Sequence, residues 1–296
     1  MAIFRFEAKI ISRAKRGRSV IAAAAYRAGT KLKDDIKGKV FDYMRKKRGV
    51  VDSCILAPVG TPAWAMNSGE LWNKVEAGEK RVDAQLAREF VLALPRELPA
   101  HVQFQIAKEW AEQELVSKGM VVELSLHNPR GSKNPHVHML CTLRKFDGAQ
   151  FCAKKAREWN DVAMLLAQRK SWADAVNGAL EKAGLDIRVD HRSLKDRGID
   201  RVPEPKIGVA ATAMKRRGAL ADPERFKLVR KVKLFNDALQ LLSAMEQADD
   251  DSLWGRSRAV FERVQDKATE LIKGTWQKLL DSQAAKAETK GPQIER

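Results

Sequence analysis

Three of the five histidines in this 296-residue chain fall within residues 127–138: His127, His136 and His138. His136 and His138 bracket Val137, and side chains two apart on a strand point to the same face. The intervening NPRGSKNP, 128–135, is rich in Pro, Asn and Gly and reads as a turn-forming loop. The spacing predicts a β-hairpin with strands 120–127 and 136–144, whose register brings His127 beside the other two. Three converging imidazoles are a cation site, and neutral imidazole suits Mn, Zn, Co or Ni better than Mg. The pattern lacks the Cys pairs of a structural zinc module. A single histidine on a strand is ordinarily a polar surface or satisfied core residue; three at this spacing are harder to dismiss.

A second group able to do chemistry is a phenol. The chain has two tyrosines, Tyr26 and Tyr43. Tyr26 lies in VIAAAAYRAG, 20–29, an Ala-rich helix with Ser19 as its N-cap and Gly29 as its C-cap. Arg13, Lys15, Arg16, Arg18, Arg27 and Lys31 flank it. A phenol among that many cations can meet a phosphate, and positive charge favours the phenolate over its reference pKa of about 10. The competing reading is a packing tyrosine. Tyr43 lies in a charged connector, 30–49, which positions a nucleophile poorly.

The positioning elements follow from periodicity. Alternating apolar residues make 2–12 and 50–57 strands. Thr61-Pro62 opens a helix running to about residue 75. Residues 81–95 read as part helix and part strand, with FVLALP the strand; Asp83 and Glu89 are the carboxylates nearest it. Pro99 starts a helix that Gly119 ends. Residues 155–183 make one or two helices closed by Gly184, and 185–194 alternate as a strand carrying His191. The fold class is α+β, a central antiparallel sheet of about five strands flanked by helices. From about 208 the pattern changes to amphipathic helices at 224–247 and 252–283, a C-terminal helical extension over 218–296 suited to contacting protein or clamping DNA. A frayed polar tail closes it.

Net charge is +17, concentrated in residues 1–50, which hold 15 Lys and Arg against 4 Asp and Glu. A focused basic surface of this kind fits a polyanionic partner, nucleic acid above all. Three cysteines without CxxC spacing fit a reducing compartment. With no 18-residue apolar run and no signal peptide, the expectation is a cytoplasmic protein without membrane insertion.

Four segments taken together resemble one family. They are SVIAAAAYRAG; LWNKVEAGEKRVDAQLAREFVLALPREL; HNPRGSKNPHVHML with Arg144 after it; and W-x-x-x-V-N-x-x-L followed by DHRSLKDRGIDRVPEP. In order and spacing, residues 1–217 resemble MobA/MobL-type plasmid relaxases, enzymes of the HUH endonuclease superfamily. The resemblance implies a nicking domain over 1–217 that cuts and rejoins one strand at a plasmid origin of transfer, leaving a 5′-phosphotyrosine link. By matching position Tyr26 is the nucleophile, and His127, His136 and His138 bind a divalent ion, Mn²⁺ or Mg²⁺. Glu89 is a nearby carboxylate, acting as proton acceptor or histidine orienter. Implied partners are single-stranded origin DNA, accessory mobilisation proteins and a type IV secretion coupling protein. One departure is Ile207, before Gly208, where family members often carry histidine. A rolling-circle replication initiator or a transposase-like nuclease uses similar groups but places its tyrosine after the histidines; here Tyr26 precedes them by about 100 residues. A non-catalytic DNA-binding protein with a structural metal is the third reading.

Overall fold

A computed structural model describes residues 3–13, 19–128, 134–147, 150–199, 201–202 and 223–246. Its contacts divide the chain into two units, between His191 and Arg192. The first is built on strands β1 (Phe6–Ser12), β4 (Val50–Leu56), β5 (Gln85–Ala93), β6 (Val122–His127) and β7 (His136–Cys141). They form one sheet in the order β1-β5-β7-β6-β4, every neighbouring pair antiparallel. This is the expected α+β layer.

Strand alternation gives the sheet two apolar faces. On one, Phe6, Phe90, Leu92, Leu124, Leu126, Val137 and Met139 are buried with Trp110 of α3 (Ala100–Glu114) and Trp172 of α4 (Val162–Lys182). On the other, Ile11, Ala87 and Leu140 pack with Val20, Ile21 and Ala24 of α1 (Val20–Ala28) and with Leu71 and Trp72 of α2 (Ser68–Ala77). Each large side chain so buried contributes roughly 1.5–3 kcal/mol. The helix at 20–28 forms as its caps predict: the Ser19 hydroxyl accepts from the Ala22 amide, and Gly29 adopts a left-handed φ of 62°.

Several elements depart from the sequence expectation, each for a tertiary reason. Residues 81–95 contain no helix; Gln85–Ala93 are strand throughout. The helix-forming run Gln-Leu-Ala-Arg-Glu is overridden because β5 lies between β1 and β7 and its charges find buried partners. Arg88 donates to the Trp159 carbonyl and to the Asn160 side chain. Residues 185–194 are irregular rather than strand. The Asn177 amide satisfies both backbone groups of Val189, at 2.8 and 2.9 Å, and Arg169 donates to the His191 carbonyl. The helix after Thr61-Pro62 is a short 3-10 turn, Ala63–Met66; α2 starts separately, with Asn67 accepting from the Glu70 amide. The connector 30–49 is structured: β2 (Lys31–Lys33) pairs with β3 (Val40–Asp42), and a 3-10 turn, Met44–Gly49, follows. The strand expected over 136–144 ends at Cys141, and β8 (Arg144–Phe146) pairs instead with β9 (Phe151–Lys155).

In the second unit, α5 (Pro223–Glu246) buries Leu228 and Val232, with Val202 and Phe235 against them. The Asn236 amide bonds both backbone groups of Val202. The domain boundary expected at 217, Ile207 and the helix expected over 252–283 lie outside the described residues. No helix among the described residues is long and apolar enough to cross a membrane.

One buried acid gives a direct stability test. Glu123 on β6 is 5% exposed; Ser68 donates to its Oε2 at 3.0 Å, and the Trp72 indole N–H donates to the same oxygen. Burial raises its carboxyl above the ordinary value and outweighs those donors. A raised folded pKa stabilises below the unfolded value and loses that contribution as pH rises through the folded value. Glu123→Gln is therefore expected to raise the melting temperature at pH 8 by on the order of 2–4 °C, with the gain gone at pH 4. A gain equal at both pH values would contradict it.

Candidate metal centre and nucleophile

The hairpin register places the histidines as their spacing requires. His127 at the end of β6 lies opposite His136 at the start of β7, and His138 lies opposite Ser125. Ring centroids are 5.4 Å apart for His127 and His136, 4.6 Å for His127 and His138, and 5.1 Å for His136 and His138. The ligand atoms all lie within 4.8 Å of one another.

Each ring has one nitrogen held by an oxygen acceptor. His127 Nε2 donates to the Arg27 carbonyl at 2.6 Å, His136 Nδ1 to the Asn134 carbonyl at 2.9 Å, and His138 Nδ1 to Glu89 Oε1 at 2.6 Å. A proton fixed on one nitrogen leaves the other as a lone-pair donor, the arrangement of metal-ligating histidine. Burial pushes the His127 imidazole down to about 4, and burial also lowers His136. Both are therefore neutral near pH 7, the form that binds metal. The donor set fits a divalent ion.

Glu89 extends this arrangement inward. It lies on the same sheet face as His138 but on β5, opposite Leu140. Its carboxylate takes a fork from Arg27, Nε to Oε1 at 2.7 Å and a terminal guanidinium nitrogen to Oε2 at 2.7 Å. Burial alone would raise its carboxyl, but the donors from His138 and Arg27 outweigh it and hold the group well below the usual range. Of the two carboxylates singled out in the sequence, Glu89 therefore reaches the histidines. Asp83 is exposed and paired with Arg81.

Arg27 is the residue whose part sequence reasoning missed. Its carbonyl holds His127 and its guanidinium holds Glu89, which holds His138. It therefore fastens the C-terminal end of α1 to the histidine face. Tyr26 is its immediate neighbour, 42% exposed. The Tyr26 ring meets the Tyr43 ring edge to face, with centroids 5.3 Å apart, and Lys46 Nζ lies 4.0 Å from the Tyr26 centroid. The available signal was an Arg-Glu pair inside the buried run LAREF with a second Arg beside the tyrosine.

The expected DNA-contacting cations are distributed differently. Arg13 spends its guanidinium on Glu76 Oε1 and on the carbonyls of Glu76, Glu79 and Arg81. Arg27 is committed to Glu89. Lys31 is exposed on β2. Lys15, Arg16 and Arg18 lie outside the described residues. His191 is in the irregular segment with Nδ1 3.9 Å from Asp190.

Comparison with known proteins agrees with this architecture. The conjugal transfer protein TraA of Agrobacterium fabrum is 34% identical over 262 residues, 77% of this chain and 24% of that protein. The mobilization protein MobL of Acidithiobacillus ferridurans is 35% identical over 249 residues, 73% of this chain and 65% of that protein. This chain thus spans about a quarter of the length of the TraA relative it matches. The solved structure described as "Molecular Basis of Vancomycin Resistance Transfer in Staphylococcus aureus" superposes with a TM-score of 0.60 at 34% identity, over 65% of this chain and all of that one. Residues 18–217 match the MobA/MobL family, and the chain belongs to it.

Proposed function

We propose that this protein nicks and rejoins one strand of DNA at a plasmid origin of transfer, with Tyr26 as nucleophile and residues 1–217 carrying the chemistry. The observation that carries the reading is the link from α1 to the histidines through Arg27, which ties the tyrosine-bearing helix to the metal-competent face. The relatives' names, conjugal transfer protein and mobilization protein, support it.

The reaction is a transesterification. The bond from Tyr26 Oη to the scissile phosphorus forms in line as the bond to O3′ breaks. The phenol releases its proton and the leaving 3′ oxygen takes one up, so no co-reactant is needed. His127, His136 and His138 would hold a divalent ion, Mn²⁺ or Mg²⁺, which would supply Lewis-acid charge to the scissile phosphate. Glu89 and the Arg27 carbonyl hold two of those rings in one tautomer. The product is again a phosphodiester, of comparable energy, so the 3′ hydroxyl can reverse the step and rejoin the strand. The basic residues of the first 50 positions draw in the single strand, with affinity that falls steeply as salt rises. Accessory mobilisation proteins and a type IV secretion coupling protein complete the proposed setting, in the cytoplasm. Residues 218–296 take no part in the proposed chemistry.

The test is a single-stranded oligonucleotide carrying the cognate origin, incubated with Mn²⁺ or Mg²⁺ and run on a denaturing gel. The expected result is a protein band shifted by the 3′-side fragment, together with a free 5′-side fragment ending in a 3′ hydroxyl. Two free fragments without adduct would mean hydrolysis and would sink the reading, as would uncut DNA across all candidate origins.

A further inference from the structure

An exposed tyrosine on a short helix has two side-chain torsions to explore, and a nucleophile must be held within reach of its phosphate. What constrains the Tyr26 ring is the segment directly after its helix. The chain leaves α1 at Gly29, turns through β2 and β3, and returns in the 3-10 turn Met44–Gly49. The return is tight. A Cβ built on Gly29 would lie 2.8 Å from both the amide nitrogen and the Cα of Lys47, and Gly29 has a φ of 62°. Only glycine meets both conditions without strain. The Tyr43 amide donates to the Thr30 carbonyl at 3.0 Å, and the Lys46 amide to the Tyr43 carbonyl at 2.8 Å. The backbone of the turn is thereby fixed to the end of α1. Two side chains of this turn reach the Tyr26 ring, Tyr43 at 5.3 Å between centroids and Lys46 with its ammonium 4.0 Å from the centroid. Aromatic edge contacts and cation–π contacts both favour a defined ring orientation.

We infer that Tyr43 and Lys46 are positioning residues which clamp the Tyr26 ring in its attacking orientation. The inference rests on Tyr26 being the nucleophile. It assigns Tyr43 a role through its ring, with no use for its hydroxyl, and it gives the otherwise puzzling contact between the chain's two tyrosines a purpose. It also explains why a charged stretch that resembles a loose connector is folded into a hairpin and a turn.

The test measures the single-turnover rate of adduct formation at saturating origin oligonucleotide, and separately the dissociation constant by fluorescence anisotropy. Tyr43→Ala is expected to lower the saturating rate about 10- to 100-fold, with the dissociation constant changed less than about threefold. Tyr43→Phe restores the rate. Lys46→Met lowers the rate in the same way, and Lys46→Arg, which keeps a cation over the ring, restores it. Wild-type saturating rates in Tyr43→Ala and Lys46→Met would overturn the inference. So would a loss confined to affinity, or a Tyr43→Phe variant as slow as Tyr43→Ala, which would give the hydroxyl the chemistry. If Tyr43→Ala fails to fold by thermal melt, the two Lys46 variants on the exposed turn decide alone. Tyr26→Phe is run alongside: an adduct that persists there overturns the nucleophile itself, whereas its loss there together with full rates in Tyr43→Ala and Lys46→Met overturns only the clamp.

Discussion

Tyr26→Phe is expected to remove the protein–DNA adduct altogether, lowering its formation by a factor on the order of ten thousand or more, the scale on which removing a covalent nucleophile acts. The substitution deletes one oxygen from a 42% exposed ring. It keeps the edge contact with Tyr43 and the cation of Lys46 over the ring face. Fold and DNA affinity should therefore be unchanged within error, and that makes the loss interpretable as chemistry. The alternative nucleophile is Tyr43, whose ring is in contact with that of Tyr26. Time courses on a denaturing gel separate them. An adduct that survives Tyr26→Phe and disappears with Tyr43→Phe would transfer the role to Tyr43. An adduct that survives the double variant Tyr26→Phe with Tyr43→Phe would exclude tyrosine chemistry, because the chain has no third tyrosine.

The parts of this site that were legible in the sequence are those specified locally. His136 and His138 share a face because strands alternate, and the turn residues between them and His127 set a hairpin whose register was nearly forced. The Tyr26 helix was legible because Ser19 and Gly29 mark its ends. Two kinds of information were not local. One is pairing between distant charges. Arg27 and Glu89 are 62 positions apart, so their bidentate contact could not be read from spacing, and the helix-forming character of the segment around Glu89 pointed away from strand. The other is backbone satisfied by side chains. Residues 185–194 have a strand's alternation, yet Asn177 and Arg169 take backbone groups that a neighbouring strand would have used. The hairpin within 30–49 was hidden for a related reason. Its lysines suggest a solvated linker, but Asp34, fully buried, accepts from the Ser19 hydroxyl and the Lys37 amide and anchors the turn.

Removing the Glu89 carboxylate is expected to damage two properties by separate routes. The first is the histidine cluster. Without Glu89, His138 loses the acceptor that fixes its tautomer and ring angle, and losses of this kind cost about 10- to 100-fold in metal affinity or activity. The second is the fold. Arg27 is left with a largely buried guanidinium, 15% exposed at the side chain, and no carboxylate. Breaking one side of a buried pair costs about 3–5 kcal/mol. The double variant Arg27→Met with Glu89→Ala separates the two routes, since it removes the stranded charge while leaving the Arg27 backbone carbonyl on His127. It should melt at a higher temperature than Glu89→Ala alone, a non-additive result for residues in contact, yet recover neither metal affinity nor nicking rate. Calorimetric Mn²⁺ titration, thermal melts and single-turnover nicking on the three proteins supply the measurements. If Glu89→Ala lost its nicking rate while binding Mn²⁺ as tightly as the wild type, Glu89 would be acting on the proton of the reaction and not through His138. If the double variant recovered metal affinity along with stability, the buried charge alone would have been distorting the histidines, and the orienting hydrogen bond would be dispensable.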